Sequence, residues 1–411
     1  MKLLAYTSPA RGHLYPIVPI LTELQRRGNE IALRTLASQV ARVRELQIDA
    51  AAVSERVEGV ELDDYKPRTR PAKARRVLKT YLTRAAYEST DLSAAIEAER
   101  PDVLLVDINC WGAAAAAEAS TRPWAMYSPY LLPVHSRDAP PLGLGLRPLS
   151  GPVGTARNAI VRRATSRIVD RSVMPTLGAL RAQHDLPVVD HFGDLLQRPP
   201  LLLALTAEGF DYARSDWPAN VRLVGPINWA PRLPTPAWLA GMSDPLILVT
   251  CSTERQADTS LARVALAALP AAGMSVVVTV PANYREAFDV PDGSRVVDFV
   301  PHEAILQRAA CVVCHGGMGI TQKALAAKVP VVVVPFGRDQ FETARRVEMA
   351  RAGVRLAAWR LSPRRLATAV RTALERQEGA ERVSRAFAAS GGKTAAADAL
   401  ESLDSSQCPR A

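Results

Sequence analysis

Two stretches of this chain, far apart in sequence, carry residue types that could do chemistry. The later one is His315-Gly316-Gly317-Met318-Gly319-Ile320, which follows the apolar run 311–314 and precedes a helical run at 322–328. A strand, a glycine-rich turn and a helix in succession aim backbone N–H groups and the positive end of a helix dipole at one point. That arrangement suits a phosphate. Glycine also lets a ligand come close to the backbone. The spacing is not G-x-G-x-x-G, so a nicotinamide fingerprint is absent. With no ligand the same residues make a tight strand-to-helix turn. Shortly after, the buried run 331–335 ends and presents Asp339-Gln340. A carboxylate and an amide at a strand's carboxyl edge suit hydrogen bonds to vicinal hydroxyls. An aspartate there also suits a helix cap, and spacing alone favours the cap.

The earlier stretch is Ser8-Pro-Ala-Arg-Gly12-His13, between the first strand and the first helix. His13 there stands at a sheet edge and could serve as a general base. Asp107 follows the run 103–106 and shares that edge. A carboxylate beside an imidazole fixes its tautomer and favours its protonated form. Either residue alone is more often structural; the two on one sheet edge make the functional reading as good as the structural one.

Two other patterns are decoys. Cys311-Val-Val-Cys314-His315 matches the C-x-x-C-H haem-attachment pattern. Its cysteines lie in an apolar strand, which makes them small buried thiols. Ser390-Gly-Gly-Lys-Thr394 resembles the end of a P-loop, but Phe387 occupies the required first glycine position. It reads as a helix break.

These groups need elements that hold them. The runs 3–6, 31–35, 103–106 and 124–127 read as strands, as do 246–250, 275–280, 311–314 and 331–335. Helical patterns lie between them. The clearest follows Gly12, with Ile17, Val18, Leu21 and Leu24 on one face and a stop at Arg26-Arg27-Gly28. Strand–helix alternation predicts parallel sheets covered by helices on both faces. The expected fold class is α/β, with two Rossmann-like doubly wound domains facing an interdomain cleft. Such sheets bind ligands beyond the carboxyl ends of their strands. The expected division is 1–225, a linker at 226–244 rich in proline and exposed, 245–390, and a tail at 391–411. The Pro- and Gly-rich stretch 129–152 is either a loop near the cleft or a surface connection.

The bulk numbers fit this plan. The 411 residues suffice for two cores, and 48% hydrophobic with 22% charged content is ordinary for globular protein. The net charge of +10 is spread along the chain, so nucleic acid is not the expected partner. Its one acid-free concentration, 66–84, reads as a solvated helix and loop. The chain opens with no secretory signal, and no window reaches a transmembrane run. Five cysteines, few and odd in number, fit a reduced, cytoplasmic protein.

Taken together, the motifs resemble the GT-B-fold glycosyltransferases of family 1, particularly bacterial enzymes that decorate macrolides and enediynes. Gly12-His13-Leu-Tyr-Pro16 looks like the family's G-H-x-x-P. Phe299-Val300-Pro-His302 looks like the segment whose backbone meets the nucleobase. His315–Gly319 looks like H-G-G-x-G, and Asp339-Gln340 like its D-Q pair. The resemblance implies that His13 deprotonates an acceptor hydroxyl and that Asp107 steadies the imidazolium. It implies that Thr253, His315 and the backbone of Gly316, Gly317, Met318, Gly319 and Ile320 hold the donor's phosphates. Val300 would meet the base, and Asp339 and Gln340 the sugar. It further implies an inverting transfer with no metal and no cofactor. The co-substrate is a nucleoside-diphosphate sugar, and the partner is a small hydrophobic acceptor; Trp111, Tyr127 and Tyr130 are candidates to line its pocket, with core packing the favoured use of each. A monomer or homodimer is expected.

One residue departs from that pattern. The family often has a glutamate four residues after the last glycine of H-G-G-x-G, where it binds ribose hydroxyls; here that residue is Lys323. A lysine cannot accept a hydrogen bond. Two explanations follow: a deoxyribose donor such as a dTDP-sugar, or lost donor affinity. The first is preferred, and a deoxysugar goes with it. Ser252, where relatives commonly have glycine, is a lesser departure. A noncatalytic GT-B protein and a sugar-nucleotide epimerase are the rival readings.

Overall fold

The computed structural model describes residues 1–67, 69–231, 233–252, 256, 258–281 and 287–403. Its first sheet contains β1 (Lys2–Tyr6), β2 (Glu30–Thr35), β3 (Asp49–Ala52), β4 (Val103–Asp107), β5 (Trp124–Ser128), β6 (Leu201–Ala204) and β7 (Val221–Leu223). The strand order is β3-β2-β1-β4-β5-β6-β7. The second sheet contains β8 (Leu246–Thr250), β9 (Ser275–Thr279), β10 (Ser294–Val297), β11 (Ala309–Cys314), β12 (Val331–Val333) and β13 (Gly353–Arg355), in the order β10-β9-β8-β11-β12-β13. The strand pairs in both sheets are parallel. These are two doubly wound Rossmann-like sheets, as expected. Each winds outward from its first strand, then jumps back and winds the other way. The jumps leave switch-point crevices beside β1/β4 and β8/β11, where such folds bind ligands.

The strands are apolar on both faces because helices cover both faces. Leu3 and Ala5 pack into one core cluster, while Leu4 and Tyr6 pack into the cluster on the other side. Leu246 and Leu248 separate from Ile247 and Val249 in the same way. That alternation also disposes of the C-x-x-C-H pattern. Side chains three apart on a strand point to opposite faces. Accordingly Cys311 and Cys314 are buried free thiols in different core layers.

The early helical pattern is real but split. A short helix, Arg11–Leu14, precedes the helix Val18–Arg26. Pro16 lies between them, where its missing N–H and its ring interrupt the helical hydrogen-bond ladder. Ile17, Val18, Leu21 and Leu24 are fully buried, and Gly28 ends the run with φ +88°. The Ser390–Thr394 stretch is a helix break, with Gly391 and Gly392 at positive φ between the helices Gln377–Ala389 and Gly392–Glu401.

Two stretches depart from the expected organisation. The Pro-rich 226–244 connection is not exposed throughout. It contains a 3-10 turn, Ala237–Gly241, and it buries Leu239 and Met242 in the core of the second sheet. Apolar side chains between prolines pin the segment down where proline alone suggested a strap. The 391–411 stretch is more than a tail up to residue 403. The Gly392–Glu401 helix crosses back to the first half and buries Ala396, Ala397 and Leu400 against its core. Arg27 fixes it through Asp398 and Glu401, each at 2.7 Å. Among the described residues no helix is long and apolar enough to cross a membrane.

Candidate active site

The first switch point is built from side chains. β1 delivers the turn that carries His13, and β4 ends on Asp107. His13 Nδ1 lies 2.7 Å from Asp107 Oδ2, with the carboxylate wholly buried. A carboxylate only accepts, so Nδ1 carries the proton and Nε2 presents its lone pair in the neutral ring. Asp107 is itself held on several sides. It accepts from the Tyr127 hydroxyl at 2.9 Å, from Asn109 N at 2.8 Å and from Ser8 N at 3.3 Å. The sequence brought His13 and Asp107 to one edge, and the fold joins them. Sequence reading missed Asn109, whose Nδ2 lies 3.2 Å from His13 Nε2. An asparagine two residues past a strand-end aspartate reads as loop, with nothing to mark it.

The second switch point is built from backbone. β11 ends at Cys314, His315 and Gly316 turn the chain, and Gly317 caps the helix Met318–Ala326. The first N–H groups of a helix have no intrahelical acceptor and point outward. Gly316 has φ +97°, and a Cβ there would sit 2.6 Å from Val333 Cγ1. A Cβ on Gly317 would sit 2.5 Å from His315 Nε2. Gly319 faces open space. Met318 is buried and Ile320 packs against the core, so both offer this turn their backbone alone. His315 is buried, and that burial lowers its proton affinity. Its Nδ1 stands 3.9 Å from buried Asp258 and completes no hydrogen bond among the described residues. A neutral, under-bonded imidazole at a helix N-terminus can still donate to an anion. Thr253 lies outside the described residues.

Asp339 occupies the N-cap position of the helix Gln340–Met349, but its side chain makes no capping bond. The cap favoured by spacing is therefore not its use. Burial raises its proton affinity, and it is close enough to feel the charge of His13 from the opposite half. Gln340 is turned inward. Its Oε1 accepts from Phe336 N at 2.7 Å and Gly337 N at 2.9 Å, and its Nε2 donates to Gln256. It braces the loop that carries Asp339. Arg338 in that loop has φ +50° and a two-pronged bond to Asp64 of the first half, at 2.9 and 2.7 Å.

Other contacts also cross between the halves. Arg70 stacks over Phe341 at 3.5 Å. Glu342 Oε1 accepts from Gly143 N and Gly145 N at 2.8 and 2.6 Å. The 129–152 stretch thus docks at the cleft. The basic 66–84 segment is not simply solvated either, since Arg70 stacks here and Arg84 is buried against the Val60 carbonyl. Among the described residues, no group of three His, Cys, Asp or Glu is placed to hold a metal ion.

Lys323 Nζ donates to the Trp229 carbonyl at 3.1 Å and to Glu303 Oε1 at 3.2 Å. Sequence reading found a carboxylate missing at 323. The structure returns one to the same neighbourhood from the helix His302–Leu306. Glu303, Lys323, Asn228 and Gln307 line a pocket of about 330 Å³. Val300 is buried just before that helix, with its side chain in the core of the second sheet. His302, also at this end, is pushed down to about 4 by burial.

The aromatic candidates part ways. Tyr127 is fully buried in the core with its hydroxyl on Asp107. Tyr130 stands edge-on to His13 at 6.0 Å and donates to Asn109 Oδ1 at 2.6 Å. Trp111 packs edge-on against Tyr81 and Phe192 at 5.4 and 5.0 Å. It also lines a small apolar cavity with Met126 and Leu177.

Known proteins share this architecture. Residues 263–403 match the family described as erythromycin biosynthesis protein CIII-like, C-terminal domain. The chain is 31% identical to 4'-demethylrebeccamycin synthase of Lentzea aerocolonigenes, over 98% of this chain and 99% of that protein. The crystal structure of the glycotransferase of kitacinnamycin superposes with a TM-score of 0.78 at 22% identity, covering 98% of each chain. That of the glycosyltransferase VinC in complex with dTDP superposes with a TM-score of 0.69 at 22% identity, covering 98% of this chain and 99% of that one. Two facing Rossmann-like sheets and full-length kinship with 4'-demethylrebeccamycin synthase agree: this chain belongs to the GT-B-fold glycosyltransferases that tailor natural products.

Proposed function

We propose that this glycosyltransferase moves a sugar, preferentially a deoxysugar, from a nucleoside-diphosphate donor to a hydroxyl of a hydrophobic natural-product acceptor. The 2.7 Å contact between His13 and Asp107 carries this reading. The acceptor O–H gives its proton to His13 Nε2 as its oxygen bonds to the anomeric carbon. The bond from that carbon to the diphosphate breaks, and its electron pair leaves with the nucleotide. Attack from the side opposite the leaving group inverts the centre. Asp107 faces the imidazolium that forms, and such general-base help is worth roughly 10²- to 10⁴-fold.

The leaving diphosphate gains charge. Fixed N–H dipoles at Gly316–Ile320 and the His315 ring would meet it without a metal ion. Asp339 would bind sugar hydroxyls, with Gln340 holding its loop. Val300 backbone and the Glu303/Lys323 pocket would take the nucleoside, and Tyr130 and Trp111 would border the acceptor. A donor of the dTDP type is favoured over UDP because Lys323 already occupies Glu303. The relative VinC binds dTDP, which agrees. The division at 226–244, a cytoplasmic site of action and a monomer or homodimer complete the proposal.

The test is to mix the protein with dTDP- and UDP-sugars and a panel of aglycones. Product should form, with inverted configuration, from dTDP-sugars first. His13→Ala should abolish transfer while dTDP still binds. Undiminished turnover by that variant removes His13 from its role. Conversion of donor without acceptor would make the protein an epimerase.

A further inference from the structure

His13 is gripped on both ring nitrogens by groups that pull its proton balance in opposite directions. Asp107 at Nδ1 favours the protonated ring. On the other side, Asn109 Oδ1 accepts from the Tyr130 hydroxyl at 2.6 Å. That fixes the amide with its NH₂ toward the Tyr81 hydroxyl at 3.1 Å and His13 Nε2 at 3.2 Å. An N–H donor can face Nε2 only when that nitrogen carries a lone pair, and a hydrogen bond to the neutral form disfavours protonation. Asn109 is 5% exposed, and its own N–H is tied to Asp107 Oδ1 at 2.8 Å, so the amide cannot drift away.

We propose that Asn109 is a positioning residue that keeps the base unprotonated until an acceptor hydroxyl takes its place on Nε2. The idea rests on His13 being the base. Asp107 by itself would make His13 easier to protonate and so deplete the free base as pH falls. The opposing donor offsets this while leaving the Nδ1 bond in place for the moment when the proton arrives. Tyr81 and Tyr130 hold the amide's orientation from two elements, the helix Arg70–Glu99 and the loop after β5. The other titratable groups facing this nest are Asp107, Tyr127 and, from the second half, Asp339, with Glu88 and Cys110 acting on it through Asp107 or Tyr127. None of them donates to Nε2 in the way Asn109 does.

The experiment is a titration of the His13 ring by NMR in the full chain, without substrates, alongside the pH profile of kcat/KM. Losing one neutral hydrogen bond in Asn109→Ala should move the His13 titration and the acid limb of the profile upward by roughly 0.5–1 pH unit. Asn109→Asp preserves shape and places a second carboxylate at the ring, so the shift should be larger still. A merely structural asparagine would lower activity equally at every pH, and an unmoved titration in both variants would overturn the proposal. A downward shift in Asn109→Ala would also overturn it, because it would mean that the amide presents its oxygen. Failure of the base assignment is distinguishable. In that case the NMR titration still moves, while His13→Ala retains turnover.

Discussion

The two switch points occupy equivalent places in equivalent sheets, yet they are equipped in opposite ways. Beside β1/β4, an imidazole and a carboxylate meet at 2.7 Å inside a shell of hydroxyl and amide groups. Beside β8/β11, the histidine and aspartate are also present but stand 3.9 Å apart, and the polar groups on offer are mainly backbone N–H. Under the proposed function, one edge would move a proton and the other would hold an anion still. The lesson is that topology fixes where chemistry can happen, and local packing fixes which kind. The 2.7 Å contact is a hydrogen bond, while the 3.9 Å one is too long to be more than a loose ion contact.

Substitutions can break that contrast. After His13→Ala, Asp107→Asn should cost the most, up to about 10⁴-fold in kcat with little change in dTDP binding, because His13 loses its fixed tautomer. Steady-state kinetics beside calorimetric dTDP titration would check it, and an equal loss of binding would erase the division of labour. Gly316→Val should do the reverse. At φ +97°, with Val333 Cγ1 2.6 Å from the new Cβ, the turn must deform. Nucleotide affinity should fall about 100-fold, while the His13 titration stays put.

The first edge also carries a signature in stability. Glu88 is buried beneath it and donates nothing to the proposed reaction, yet burial pushes its carboxyl from 4.5 up to about 8. Between those values the folded chain holds a proton that the unfolded chain releases. Stability is therefore fullest below that window and declines as pH rises through it. Glu88→Gln should flatten this decline and raise Tm at pH 8–9 by a few degrees, as calorimetry would show. A variant as pH-sensitive as the parent would place the titration elsewhere.

Smaller effects sharpen how the edges cooperate. Asp64→Ala releases Arg338 from its two-pronged bond across the cleft, so KM for the donor should rise about tenfold with kcat less affected. Lys323→Glu should move the dTDP/UDP preference by a few fold toward UDP, since it frees Glu303 and adds an acceptor. Competition between the two nucleotides would measure it, and a preference unmoved by the change would take Lys323 out of donor choice.

Legibility in the sequence followed physical signal strength. Branched apolar runs such as 246–250 and 275–280 announced their strands within a residue. β3 is Asp-Ala-Ala-Ala, and β7 and β13 are three residues each, too short or too small-sided to show a period. The glycine turn was legible because positive φ and close packing demand glycine. Spacing alone favoured a cap for Asp339, because capping is a local habit; that its half-buried carboxylate makes no capping bond is a tertiary fact. Asn109, Asp64 and Glu303 gave no signal, since each acts on a residue at least twenty positions away.

What the sequence by itself determined is the alternation of strand and helix, hence two parallel sheets, and the chemistry delivered to their carboxyl edges. Local propensity and periodicity suffice for that, because each element buries its own stripe. What only the tertiary structure decided is the pairing at those edges. That includes the bond of Asp107 to His13, the failure of Asp258 to close on His315, and the turning of Gln340 inward. It also includes the return of the last helix onto the first half. Those outcomes depend on distances set by side chains from several strands at once, and no short stretch of sequence contains them.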